Sequence, residues 1–286
     1  MRVRKILITS KSSPAALPYV KEAAAFLSER NIRLFCPAEK AKFLESVPEI
    51  SPLTSYSDID AAIAFGGDGT ILKAARSLLG KEAPILGVNL GTVGYLPDVE
   101  PNELIPALKK FLSGDYKTEK RSVLRIGCAG KSFVAINEAV VYRGSLSHIL
   151  TLSVQVNGMT VETVRADGMI LSTPTGSTAY NLSAGGPIVE PLSKTFVVTP
   201  ICAHSLTARP LVIGDENEIT LTVSKFRSEK EKPSLDVDGK TVLRLEEGTE
   251  IRIKLADEKM ILVRTKPTNF FKAIQTKLSA AGVLEQ

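Results

Sequence analysis

The chain has 286 residues, 44% of them hydrophobic and 23% charged, an ordinary globular composition with room for two domains. No apolar run approaches the roughly 18–20 residues that span a bilayer, and the run after the basic N-terminus is too short for a secretory signal, so the expected compartment is the cytoplasm. The net charge of +5 suits an anionic ligand, but the basic residues are scattered, and the densest cluster, 225–233, mixes both signs as a solvated hairpin loop does, which argues against nucleic acid as a partner.

The first part of the chain alternates strands and helices. Ile6–Thr9 reads as a strand, and a helix from about Pro18 carries Leu17, Val20, Ala24 and Leu27 on one face, with Asn31 near its end. Ile32–Phe35 is the next strand. Between Lys40 and Asp60, Pro48 and Pro52 interrupt any long element. The stretch Ala61–Leu79 then runs apolar on both faces into Gly66, Gly67, Asp68 and Gly69. Its period then changes to that of a helix through Ile71, Leu72, Ala74, Ala75, Leu78 and Leu79. A strand Pro84–Val88, a second glycine loop Asn89–Asp98, and a helix through Leu104, Ile105, Leu108, Phe111 and Leu112 follow. This alternation predicts a doubly wound, mainly parallel sheet whose ligand lies beyond the C-terminal ends of its strands.

From about Tyr116 the style changes to strand after strand. Leu150, Leu152, Val154 and Val156 alternate with polar residues and lead into Asn157-Gly158, a strong hairpin signal. Ile219, Leu221 and Val223 repeat the alternation, as do Ile251, Ile253 and Leu255, and Asp238-Gly239 reads as another hairpin tip. The expected architecture is an α/β domain over 1–115 and an antiparallel all-β, sandwich-like domain over 116–266. A C-terminal helix over 267–286, with Phe270, Phe271, Ile274, Leu278 and Ala281 along one side, is expected to pack back on the first domain.

Strand, glycine turn and helix bring backbone N–H groups up to a phosphate, and Asp68 is out of place there unless it has a chemical task. Asp68 or Thr70 as a plain helix cap is the competing explanation. Three glycines exceed what a cap needs, and Lys73, read as lying in the first turn, opposes the helix dipole unless a polyphosphate binds. In the β domain, Arg165–Pro187 is packed with hydroxyls, glycines and small residues. Either these bind ribose and phosphate oxygens or they stabilise the loop itself. Tyr180 fits a base-stacking ring or a core residue. Asn137-Glu138 interrupt the apolar run Phe133–Tyr142, read as one strand, and either satisfy each other or meet a ligand. Cys36, Cys128 and Cys202 are scattered without a C-x-x-C pair, as reduced thiols are. With His148 and His204 as the only histidines, a required metal would be a hard cation such as Mg²⁺, held by carboxylate and phosphate oxygens.

Gly66-Gly67-Asp68-Gly69-Thr70, Asn89-x-Gly91-x-x-Gly94-Tyr95-Leu96, Asn137-Glu138, and Asp167-Gly168 with Thr173–Tyr180 occur in an order that resembles the NAD kinases. The resemblance implies transfer of the γ-phosphoryl group of ATP, or of polyphosphate, to the 2′-hydroxyl of the adenosine ribose of NAD, with a divalent cation such as Mg²⁺ accompanying ATP. It implies Asp68 as general base, with Gly66, Gly67, Gly69 and Thr70 on phosphates and Lys73 as counter-charge. Asn137 and Glu138 would bind the adenosine part of NAD, and Asp167 a ribose or the nicotinamide amide. Thr178, Ala179, Tyr180, Asn181, Leu182 and Ser183 would line the dinucleotide pocket. His148 and Arg165 match positions that are often basic or polar in the family and would join in NAD binding, although His148 also fits an ordinary strand-edge residue. Tyr95 stands where the family commonly has Phe, a change expected to affect packing only. A homodimer or homotetramer is implied as well. The competing functions are a diacylglycerol-type lipid kinase, which shares the Gly-Gly-Asp-Gly motif, and a non-catalytic dinucleotide sensor.

Overall fold

The computed structural model describes residues 3–91, 94–144, 149–226, 232–267 and 270–283. They form two compact units, Met1–Lys120 with Met260–Gln286, and Arg121–Lys259. The first unit opens with β1 (Lys5–Ser10), α1 (Leu17–Ser28), β2 (Arg33–Cys36) and β3 (Ile50–Pro52). It continues with β4 (Ala61–Gly66), α2 (Asp68–Leu78), β5 (Ile85–Asn89), α3 (Leu104–Ser113) and β6 (Lys117–Arg121). Every residue of β4 and β5 is buried, as expected of strands covered on both faces. The stretch that the prolines left ambiguous follows a 3₁₀ turn, Ala38–Lys40, and holds the three-residue edge strand β3, where Pro52 needs no ladder donor.

The second unit is all but entirely β. Its strands are β7 (Leu124–Cys128), β8 (Lys131–Ala135), β9 (Glu138–Tyr142), β10 (Leu150–Val156), β11 (Met159–Ala166) and β12 (Gly168–Ser172). After the short α4 (Tyr180–Ser183) come β13 (Thr195–Ile201), β14 (Leu211–Gly214), β15 (Ile219–Lys225), β16 (Ser234–Val237), β17 (Lys240–Arg244) and β18 (Glu250–Leu255). Two six-stranded sheets result, ordered β11-β10-β15-β18-β7-β8 and β14-β13-β12-β9-β16-β17. Their inward residues, among them Leu152, Leu221 and Ile253 from one and Val141, Leu171 and Phe196 from the other, share one apolar core. Asn157-Gly158 and Asp238-Gly239 both turn with positive φ, as two-residue hairpins require.

Two expectations are corrected here. The run Phe133–Tyr142 is not one strand: β8 belongs to one sheet and β9 to the other, and Ile136-Asn137 is the corner where the chain changes sheets. The polar pair therefore marks a corner, where the backbone leaves its ladder and needs other partners. The β domain also does not extend over 116–266. The chain returns to the first unit with β19 (Met260–Arg264), followed by α5 (Phe270–Val283), and the first sheet is ordered β3-β2-β1-β4-β5-β19-β6. β19 lies parallel to β5, and all five of its residues are buried. The signal was the loss of alternation: Met260-Ile261-Leu262-Val263 is a continuous apolar run, unlike the alternating strands before it.

The returning strand is tied in by charge as well as by burial. Arg264, only 5% exposed, donates through Nε to Glu119 of β6 at 2.7 Å and through Nη1 to the Leu96 carbonyl at 2.8 Å. Removing one partner of a buried pair leaves the other charge unpaired. Glu119→Ala is therefore expected to lower the stability of the first unit by about 3 kcal/mol or more, read as a drop in the urea midpoint.

Candidate active site

In the first unit the site is built where β4 ends. Gly67 is the N-cap of α2 and no side chain caps this helix, so neither Asp68 nor Thr70 serves as the cap. Asp68 is the first helical residue, where the helix dipole favours a carboxylate. Its side chain reaches across to the second glycine loop. Oδ1 accepts the backbone N–H groups of Tyr95 and Leu96, each at 3.0 Å, and Oδ2 accepts the Tyr95 N–H at 3.2 Å. Lys73 is the sixth residue of the helix, not in its first turn. The dipole argument for it fails, since that effect fades within the first turn; its ammonium is exposed to solvent.

The glycines divide by role. A Cβ on Gly66 would lie 2.2 Å from Thr70 Oγ1, and one on Gly94 would lie 2.6 Å from Asp68 Oδ1 and 2.7 Å from the Pro97 ring. These two glycines are required by the chain's own packing. Gly67 and Gly69 have nothing within 4 Å of a built Cβ, and Gly67 has an ordinary extended backbone. Neither packing nor φ explains them, and both leave backbone open beside the Asp68 carboxylate.

A second layer fixes the loop that holds Asp68. The Leu96 carbonyl takes Arg264, while Asp98 Oδ2 accepts the Thr265 N–H at 2.8 Å and its hydroxyl at 2.6 Å. Asn89 donates to Glu100 at 3.2 Å and accepts the Gly91 N–H at 3.3 Å. From α5, Lys277 sets its ammonium 3.7 Å over the Tyr95 ring, and Phe270 packs 6.0 Å from that ring. Tyr95 thus packs against α5, and burial together with the nearby Asp68 pushes its phenol up. On the apolar stripe predicted for α5, Phe271 is 66% exposed, so that stripe is not buried throughout.

Sequence reasoning missed two lysines of this unit. Lys40 donates to Ser12 Oγ at 2.8 Å, and burial, then the neighbouring charge of Lys73, lowers its ammonium below the ordinary range. Lys11, directly after β1, donates to the Leu90 carbonyl. Both follow strands of a parallel sheet at their C-terminal ends, the position that could have flagged them.

In the second unit Asn137-Glu138 is held by the Asp238 carboxylate. It accepts the N–H groups of Ile136, Asn137 and Glu138 at 3.0, 2.7 and 3.2 Å, and the Asp238 N–H returns to the Glu138 carbonyl at 2.9 Å. The hairpin tip is thus also the clasp of the corner. Glu138 is buried and Asn137 half-buried. The hydroxyl-rich loop splits in two. Ser172, Thr173, Ser177 and Asn181 are buried and hydrogen-bonded inside the unit. Asn181 binds Ser177, Pro187 and Thr199, so its side chain holds the loop and does not face a ligand, contrary to expectation. Tyr180 and Ser183 are exposed, and Thr178, Ala179 and Leu182 half-buried, so these can line a pocket.

Asp167 lies at the junction of β11 and β12, paired at 2.9 Å with Arg143, which sequence reasoning did not select. The register that sets Tyr142 opposite Gly168 puts Arg143 beside Asp167, so the pair is legible only once β9 and β12 are known to be neighbours. Burial raises the Tyr180 phenol, with Tyr142, Cys202 and Asp167 adding to it, which gathers these groups in one neighbourhood. Arg165 is exposed on β11, and His148 lies outside the described residues. Among the described residues no three His, Cys, Asp or Glu side chains converge as a metal cage.

Two substitutions test these supports. Gly94→Ala forces a methyl against Asp68 and Pro97, an overpacking expected to cost about 1–3 kcal/mol, seen as a lowered Tm with displaced Tyr95 and Leu96 amide resonances. Asp238→Ala strands three backbone donors and is expected to cost about 2–3 kcal/mol, with accelerated hydrogen exchange at Ile136 to Glu138.

Comparison with known proteins gives this geometry its context. A family model described as the ATP-NAD kinase N-terminal domain matches residues 6–116, and one described as the ATP-NAD kinase C-terminal domain matches residues 136–265. The chain is 38% identical over 289 residues to an NAD kinase of Geobacter metallireducens, covering 96% of this chain and 98% of that protein. It is 39% identical over 274 residues to an NAD kinase of Moorella thermoacetica, covering 93% and 87%. Among solved structures, yeast NADH kinase complexed with NADH superposes with a TM-score of 0.87 at 27% identity, covering 98% of this chain and 88% of that one. An NAD kinase from Archaeoglobus fulgidus in complex with ATP gives 0.75 at 26%, covering 96% and 98%. With both halves matched in order and relatives this similar along nearly the whole length, the chain belongs to the ATP-NAD kinase family.

Proposed function

We propose that this chain transfers the γ-phosphoryl group of ATP to the 2′-hydroxyl of the adenosine ribose of NAD, giving NADP and ADP, with Asp68 as the general base. The observation that carries the reading is a carboxylate fixed by two backbone N–H groups beside two glycines whose openness the chain's own packing does not require. As the bond from O2′ to the γ-phosphorus forms, the bond from that phosphorus to the β,γ-bridging oxygen breaks and ADP leaves. The hydroxyl proton passes to Asp68 Oδ2. Because the transition state is loose, a positioned carboxylate contributes chiefly by orienting the hydroxyl and accepting its proton late.

The donor's phosphates lie against Gly66, Gly67, Gly69 and Thr70, with Lys73, Lys40 and Lys11 supplying positive charge. A lysine lowered first by burial and then by a neighbouring lysine is a site that an anion stabilises. Inorganic polyphosphate fits the same cationic groups as an alternative donor. NAD is taken by Asn137, Glu138, Asp167, Arg165 and the exposed face of Thr178–Ser183, with His148 in the same role. The described side chains supply no metal cage, so the divalent cation enters on the phosphates of ATP, as part of the substrate. We place the enzyme in the cytoplasm as a homodimer or homotetramer; no described helix is long and apolar enough to cross a membrane. A lipid kinase would account for the Gly66–Thr70 loop alone, and a sensor would need no carboxylate there.

The test is direct. Purified protein with NAD, ATP and Mg²⁺ is expected to form NADP, detected with an NADP-specific dehydrogenase. Asp68→Asn is expected to lose at least about 10²-fold in turnover while still binding NAD, the lower end for removal of a general base. Full activity in that variant removes Asp68 from the role, and phosphorylation of diacylglycerol without NADP formation replaces the acceptor.

A further inference from the structure

The last helix reaches the base directly. Lys277 lies in the middle of α5, far along the chain from the glycine loops, yet its Nζ is 3.9 Å from Asp68 Oδ2. That is the outer limit of an ion pair. With the two side chains 33% and 32% exposed, their attraction alone is weak. What fixes the ammonium is the ring beneath it: Nζ is 3.7 Å from the centre of Tyr95, well within the range of a cation–π contact. The same ring is packed by Phe270, two turns earlier on α5, at 6.0 Å. One helix therefore grips Tyr95 with two side chains, and the N–H of Tyr95 is one of the two that hold Asp68. The carboxylate, the amide that orients it, the ring on that residue and the cation over the ring form a closed set of contacts.

We propose that Lys277 is a positioning residue for Asp68, clamping Tyr95 so that its backbone N–H, and that of Leu96 after it, stay aimed at the carboxylate. The proposal rests on the reading of Asp68 as the base. It gives α5 a part in the reaction without requiring the helix to touch either substrate. Tyr95 in place of Phe suits this arrangement, because the aromatic face that receives the cation is kept.

In the full-length protein, Lys277→Met is expected to lower kcat about tenfold, the factor that a ring-face contact and a half-exposed ion pair supply together. KM for NAD and for ATP should stay within about twofold, because interactions that only aim the base act on kcat. Lys277→Arg keeps a cation able to stack on the ring and should recover most of the loss. Tyr95→Leu removes the ring face and should show a similar loss that does not add to that of Lys277→Met. Amide hydrogen exchange at Tyr95 and Leu96 reads the clamp without substrate: it should quicken in Lys277→Met and stay unchanged in Lys277→Arg. Unchanged kcat in Lys277→Met overturns the proposal, as does unchanged exchange at both amides. A raised KM for ATP with kcat retained also overturns it, by making Lys277 a phosphate ligand. The exchange measurement stands whether or not NADP forms, so failure of the kinase reading is seen separately.

Discussion

The contact between the Asp68 carboxylate and the Tyr95 and Leu96 amides joins segments 27 and 28 residues apart in sequence. One end is the turn between β4 and α2; the other is the loop after β5, fastened by Arg264 and Thr265 from the close of the chain. A carboxylate at a helix N-terminus is already favoured by the backbone dipole, so these amides are not needed to make an anion comfortable. They remove rotational freedom. A side chain with two free torsions becomes one with a fixed direction. The long return of β19 makes sense in these terms, since it carries the guanidinium that holds the loop's carbonyl while the loop's N–H holds the Asp68 carboxylate.

Much of this was legible in the amino-acid sequence. The strand, glycine turn and helix around Asp68 announced themselves by a change of period, and the hairpins at Asn157-Gly158 and Asp238-Gly239 by their turn residues. What was not legible were relations between distant elements. β19 was placed inside the β domain because a four-residue apolar run carries no label for its partner. The corner at Ile136-Asn137 read as a flaw in a strand, since nothing local says that β8 and β9 belong to different sheets. Arg143 and Lys277 lie beside partners 24 and 209 positions away, Asp167 and Asp68, distances over which periodicity and motif spacing are silent.

The hydroxyl-rich loop shows why composition alone misleads about ligands. Ser, Thr and Asn side chains in such a stretch can face a bound molecule or replace missing backbone partners, and both uses select the same residues. Here the two are interleaved. Thr173 bonds the Ile136 carbonyl and the Gly176 N–H, and Asn181 ties the ends of its turn to Thr199. These inward groups make a base on which Tyr180 and Ser183 are exposed and Thr178 is half-buried. A loop holding this many internal bonds is ordered before any ligand arrives, which reduces the entropy lost on binding.

The same device recurs in both units with different chemical consequences. Asp60 accepts the Arg4 and Lys5 amides through one oxygen, Asp238 accepts three amides at the Ile136–Glu138 corner, and Asp68 accepts two from the second glycine loop. In Asp238 both oxygens are engaged by good donors, Oδ1 by Asn137 at 2.7 Å and Oδ2 by Ile136 at 3.0 Å. Asp68 is arranged otherwise. Oδ1 takes both short bonds, while Oδ2 keeps only the longer share of the Tyr95 N–H, with Lys277 at the margin of contact. One oxygen anchors and the other retains lone-pair capacity. What differs between the two carboxylates is how the second oxygen is held: Oδ2 of Asp238 has a donor of its own at 3.0 Å, whereas Oδ2 of Asp68 shares, at 3.2 Å, an N–H already given to Oδ1.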